Sequence, residues 1–237
     1  MRTILIALAL VLAPAALLAA QTGAPAETVP LPLTVPVPPV APPAPRPALV
    51  HVALTTAEGV ILLELEKTRA PLTTANFLRY VDQKRLDGAV FYRAVKSSDD
   101  GSYGLIQGGV RGDPKKVLPP VAHEPTSKTG LSHVDGAISM ARLAPGSARV
   151  EFFIIVGGLT ALDANPTQSG DNAGYAVFGR VAEGMDVVKK ILLVPVSAGG
   201  TGPMKGQMIA APVKILTARR AKAPVVPLPP PTATAGS

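Results

Sequence analysis

"GAVFYRAV", Gly88 to Val95, decides how the rest of this chain is read. Val90, Phe91, Tyr92 and Val95 are β-branched or aromatic residues that favour an extended strand. Strand side chains alternate, so the spacing predicts Phe91, Arg93 and Val95 on one face. A guanidinium keeps its charge and cannot sit on an apolar face without partners. Arg93 is therefore either held by an acid, with Glu151 as the candidate, or placed there for chemistry.

Outward from this strand the pattern repeats. "LVHVALTTAEGVILLELE" reads as two strands joined by a turn near Glu58-Gly59. "GLIQGG", "GAISMAR", "VEFFIIVGG", "GYAVFGRV" and "APVKILTA" are further short strands, punctuated by Gly, Asp and Pro. Two segments read as helices. "APLTTANFLRYVDQ" has Pro71 in its first turn and Ala75, Phe77, Leu78 and Val81 at helical spacing. "GMDVVKKIL" puts Val187, Val188 and Ile191 on one face. Many short strands with only two helices point to a mainly β fold, a barrel or sandwich rather than a parallel sheet. No internal repeat is visible.

The two ends differ from this core in composition. Residues 1–20 carry Arg2, an uncharged apolar run and small residues, the pattern of a signal peptide cleaved after Ala20 or as late as Ala26. The run from Thr3 to Ala20 is nearly long enough to span a bilayer, so an uncleaved membrane tether is the alternative. Either way the chain is expected to be periplasmic or otherwise exported. Residues 21–48, with ten prolines between Pro25 and Pro47, read as an extended disordered linker, and residues 219–237 as a Pro-rich disordered tail. The globular domain is expected at 49–218, where Lys and Arg against Asp and Glu give 18 − 15 = +3. No basic stripe is interleaved with aromatics, which argues against nucleic-acid binding.

Few residues suggest nucleophilic or metal chemistry. There is no cysteine, hence no disulfide or lipid-modified cysteine, and His51, His123 and His133 do not pair at ligand spacing. His133 in "GLSHVDG" reads as a loop histidine holding backbone. "GGTGPMKGQM" looks superficially like a phosphate loop, but no Ser or Thr follows its lysine and no helix follows it, so it reads as a surface loop.

What remains is "FYRAV", "GLIQGG", "GAISMAR", "VEFFIIVGG" and "GYAVFGRV" in that order, and this set resembles the cyclophilins, which are peptidyl-prolyl cis–trans isomerases. The resemblance runs from about His51 to Leu216 and looks especially like exported bacterial members. It implies a closed eight-stranded antiparallel barrel capped by two helices, acting as a monomer on proline-containing unfolded or extended polypeptides, with no cofactor. It also implies Arg93 as the catalytic residue, Gln107 orienting it, and Phe153 as the floor of the proline pocket with Phe152 pointing into the barrel. Leu105 and Leu162 match other pocket positions, Ala141 and Arg142 the strand that pairs with substrate, and Tyr175 the place of a family histidine. Four departures stand out. The stretch between Arg93 and Gln107 is longer than usual, with Gly104 replacing a pocket phenylalanine that Tyr103 could supply. Glu151 replaces a glutamine, where it would tie up part of the Arg93 guanidinium or select basic substrates. Ala161 replaces the tryptophan that binds cyclosporin in eukaryotic members. Arg142 replaces an asparagine and would add charge to the groove rim. The rival reading is a peptide-binding module for proline-containing segments that has lost catalysis.

Overall fold

The computed structural model describes residues 48–223, with 112 and 168 excepted. The expected signal peptide, nearly all of the expected linker and the tail from residue 224 lie outside the described residues.

The described residues form nine strands: β1 (Leu49–Thr56), β2 (Gly59–Glu66), β3 (Val90–Lys96), β4 (Gly104–Gly109), β5 (Ala137–Met140), β6 (Phe152–Val156), β7 (Ala176–Glu183), β8 (Val196–Ser197) and β9 (Met208–Ala221). They alternate with helices α1 (Pro71–Asp82), the single turn α2 (Thr126–Thr129) and α3 (Met185–Leu192). The order β1-β2-β7-β5-β6-β4-β3-β9 closes on itself through a β1–β9 pairing, and every ladder is antiparallel. This is an eight-stranded barrel, and closure leaves it without a long exposed edge. The two-residue β8 is an appendage on β9.

Inward-facing residues of alternate strand positions fill the barrel. Leu54, Ile61, Leu63, Ile106, Ile138, Phe152 and Phe178 are all fully buried in one core. Helix α1 adds Phe77, whose ring meets Phe152 edge-on at 5.5 Å and Phe178 at 5.2 Å. Its buried face differs from the expected one: Ala75 is exposed, while Thr73, Thr74 and Asn76 are buried. The polar residues are tolerated because each is bonded. The Glu124 carboxylate accepts from the Leu72 and Thr73 N–H groups at 3.1 and 2.7 Å and from the Thr73 hydroxyl at 2.6 Å. Ala70 at the N-cap offers no side-chain acceptor, so this distant acid satisfies the helix start instead. Helix α3 buries Val187, Val188, Ile191 and Leu192, as its spacing predicts.

One boundary and one facing differ from expectation. The domain extends past 218, because Arg219, Arg220 and Ala221 still pair with β1, and Arg219 and Arg220 hold Asp87 and Asp82. Phe91 and Arg93 do not share a face. A β-bulge lies between them, with Tyr92 as the extra residue against β4, and the register of β3 against β9 breaks at the same point. Phe91 and Ala94 therefore point into the core and Arg93 points out of the barrel wall. A bulge re-aims a side chain at modest cost, and here it keeps a permanent charge out of an apolar interior.

Candidate active site

Arg93 lies at that bulge opposite Gln107 of β4. Its Nη1 donates to Gln107 Oε1 at 2.8 Å, while Nε and Nη2 both donate to Gln207 Oε1, at 2.8 and 2.6 Å. Both acceptors are neutral amide oxygens, and Arg93 forms no ion pair among the described residues. Burial lowers its pKa somewhat, but a guanidinium remains charged across the physiological range.

The hydrogen bonds continue behind Gln107 in one direction. Its Nε2 donates to the Tyr92 hydroxyl at 2.8 Å, and that hydroxyl donates to Glu151 Oε2 at 2.7 Å. Glu151 Oε1 accepts from the Arg111 N–H at 2.9 Å. A carboxylate can only accept, so it fixes the direction of this relay and turns the amide oxygen of Gln107 towards Arg93. Burial, reinforced by the Glu151 charge, pushes the Tyr92 pKa up, so the phenol stays a donor. The approach of Glu151 requires Gly109: a Cβ there would lie 2.3 Å from Glu151 Oε2, on a backbone with φ of 154°.

Beside the guanidinium opens a cleft of about 440 Å³. Phe153 forms its floor, and the Tyr175 ring meets Phe153 edge-on at 5.4 Å. Leu105, Ala141 and Leu162 pack against the same apolar cluster, outside the barrel core that holds Phe152. Fully buried His133 stacks on Phe153 with centroids 5.8 Å apart. Its Nδ1 is 2.5 Å from Asp163 Oδ1 and its Nε2 2.9 Å from Ser139 Oγ. Burial lowers the His133 pKa against the opposing pull of Asp163, which favours a neutral ring accepting from Ser139. The three residues have the order of a hydrolase triad, but Ser139 is fully buried beneath the cleft and no substrate can reach it. Among the described residues no cluster of three or more His, Cys, Asp and Glu could hold a metal.

The sequence motifs, the barrel and this cleft agree with a comparison against protein families. The model described as "Cyclophilin type peptidyl-prolyl cis-trans isomerase/CLD" matches residues 51–220. The chain belongs to the cyclophilins.

Among relatives, it is 36% identical to the "Peptidyl-prolyl cis-trans isomerase" of Acinetobacter baylyi, over 70% of this chain and 82% of that one. It is 33% identical to "Peptidyl-prolyl cis-trans isomerase B" of Escherichia coli, over 63% of this chain and 88% of that one. A solved cyclophilin-type isomerase from Cryptosporidium parvum superimposes with a TM-score of 0.58 at 20% identity, covering 75% of this chain and all of that one, which shows the shared fold. This cyclophilin is an isomerase, and proline-containing peptides are its substrates.

All nine site residues named from the sequence line or adjoin the cleft: Arg93, Leu105, Gln107, Ala141, Arg142, Phe153, Leu162 and Tyr175 around it, and Glu151 behind Tyr92. Three expected roles change. Glu151 does not tie up Arg93; it acts through Tyr92 and Gln107, because the bulge places Tyr92 between them. Arg142 adds little charge to the rim. Its side chain is only 6% exposed, pairs with Asp171, donates to the Gly174 carbonyl and lies over the Tyr175 ring. Tyr103 does not fill the place of the missing phenylalanine, since its ring lies beside Gly157 and is half exposed. The "GGTGPMKGQM" segment, read from the sequence only as a surface loop, belongs to the site: Thr201, Pro203 and Met204 wall the cleft, and Gln207 holds Arg93. Only the pairing of Arg93 with Met208 across β3 and β9 brings that segment here, and no motif signals it.

Proposed function

We propose that this cyclophilin assists the folding of exported proteins, and that Arg93 speeds X-Pro rotation by stabilising the twisted amide. Rotation about an X-Pro bond faces a barrier of about 20 kcal/mol because amide resonance is lost on the way. As resonance breaks, a lone pair localises on the proline nitrogen, and a cationic donor aimed at it binds that state better than either planar one. Lowering the barrier by about 7 kcal/mol turns a ~100 s process into one of ~1 ms. The reaction moves no proton and makes no covalent bond to the protein.

The observation that carries this reading is the guanidinium itself. It is held by two neutral oxygens beside an apolar floor, so its charge is oriented without being cancelled. Phe153, Leu162 and Tyr175 provide the apolar surface a proline ring needs, next to the donor. One of the similar solved structures, the C. parvum isomerase, was determined in the presence of the dipeptide Ala-Pro, which supports a cleft of this shape receiving such a unit. Export is supported by the apolar, signal-like residues 1–20.

Exchange NMR on an Ala-Pro or Phe-Pro peptide, with catalytic amounts of the full chain, tests the mechanism. Faster exchange that is lost in Arg93→Ala is the expected result. Peptide binding with no faster exchange in the native protein would transfer the assignment to a binding module. Fractionation of cells expressing the chain with and without residues 1–20 tests export; a cytoplasmic full-length protein refutes it.

A further inference from the structure

We propose that Gln207 is a positioning residue for Arg93, a neutral clamp that sets the plane of the guanidinium. The inference deepens the Arg93 mechanism and rests on it. A guanidinium has five N–H donors. Nε and Nη2 each spend one on Gln207 Oε1, and Nη1 spends one on Gln107 Oε1. One N–H remains on each terminal nitrogen, and these are what can reach a proline nitrogen in the cleft. Gln107 alone contacts one corner and leaves the group free to swing. Adding a second acceptor on the opposite edge fixes both the plane and its rotation.

The placement of Gln207 is built into the backbone. Its carbonyl accepts from the Ala94 N–H at 3.0 Å, one residue beyond Arg93, and it immediately precedes Met208, the β9 partner of Arg93. The segment leading to it is closed by its own bonds, Gly206 N–H to the Gly199 carbonyl at 2.9 Å and Lys205 N–H to the Gly202 carbonyl at 3.1 Å. The loop therefore holds its shape without the Gln207 side chain. The choice of an amide is physically meaningful. A carboxylate at this position would orient Arg93 equally well but would neutralise it, weakening the field at the twisted amide in a poorly solvated cleft. The same segment contributes Pro203 and Met204 to the cleft wall, so the substrate surface and the clamp belong to one piece of chain.

The test compares full-length wild type, Gln207→Leu, Gln207→Glu, Arg93→Ala and the double variant Arg93→Ala/Gln207→Leu. Readouts are kcat and KM on an Ala-Pro peptide, the Arg93 Nε–H resonance, and the backbone amide spectrum. Gln207→Leu is expected to lower kcat about tenfold with KM within about twofold of wild type, and to shift the Nε–H resonance while the amide spectrum stays native. Gln207→Glu keeps the Nε–H hydrogen-bonded yet still loses kcat, because the charge is cancelled. The double variant should match Arg93→Ala. Wild-type kcat in Gln207→Leu, or a loss in the Arg93→Ala background equal to that in wild type, overturns the clamp. Wild-type exchange in Arg93→Ala instead refutes the Arg93 mechanism itself, and the clamp falls with it.

Discussion

Arg142 offers a sharp choice between a charge presented to substrate and a clamp on the cleft wall. In the structure, Nε and Nη2 donate to the Gly174 carbonyl at 2.8 and 2.5 Å, and Nη1 and Nη2 to the Asp171 carboxylate at 2.7 and 2.8 Å. The guanidinium carbon lies 5.2 Å from the centre of the Tyr175 ring. Arg142→Ala removes all of this. A charge-assisted bond to a partly buried carbonyl contributes about 2 kcal/mol, and the cation–π contact about 0.5–1 kcal/mol. The Arg142 guanidinium holds the Asp171 pKa at about 2, but that carboxylate is open to water and no stability is credited to the pair. The total, about 3 kcal/mol, is set against an unfolding entropy of ~0.36 kcal/mol/K for a domain of about 170 residues, giving a fall in Tm of about 8 °C. With Tyr175 unsupported, loss of ~1 kcal/mol of wall contact raises KM about fivefold. Differential scanning calorimetry and peptide exchange at two salt concentrations provide the measurement. The clamp predicts a lower Tm and the same KM increase for neutral, acidic and basic peptides, independent of salt. An unchanged Tm, with a loss confined to acidic peptides and erased by salt, would refute the reasoning and restore the rim-charge reading.

Three further outcomes are expected. Glu124→Ala orphans the buried Thr73 N–H and hydroxyl and the part-buried Leu72 N–H at the start of α1, so urea unfolding should show a loss of about 3 kcal/mol, with Glu124→Gln recovering part of it. Burial depresses the His133 pKa below its unfolded value near 6.5, so the unfolded chain takes up that proton first. Its contribution to stability is full above about pH 6.5 and is lost as pH falls below it; melts from pH 8 to 5 should show the slope, and His133→Gln should remove it. Phe153→Leu gives up the ring contacts with His133 and Tyr175, about 0.5–1.5 kcal/mol each, and should raise KM several-fold at nearly unchanged kcat; a fall in kcat alone contradicts a binding role for the floor.

The sequence by itself determined the barrel and most of the cleft. Short apolar strands separated by Gly and Pro signals point to a barrel or sandwich rather than a parallel sheet, and the resemblance to the cyclophilins, carried by short local motifs, narrows that to the closed barrel. The motif residues Arg93, Gln107, Phe153 and Tyr175 were legible for the same reason: each lies within a short, recognisable run. Strict alternation misplaced Arg93 at the bulge of Tyr92, because bulges depend on register with neighbouring strands rather than on local spacing. The partners of each charge were also decided only by the fold. Arg93 meets Gln207 across 114 residues of chain, Tyr92 meets Glu151 across 59, and Glu124 reaches back 51 residues to the start of α1. Hydrogen bonds are directional and short, so which acid or amide satisfies a given donor depends on strand order and register, and those exist only once the barrel has closed.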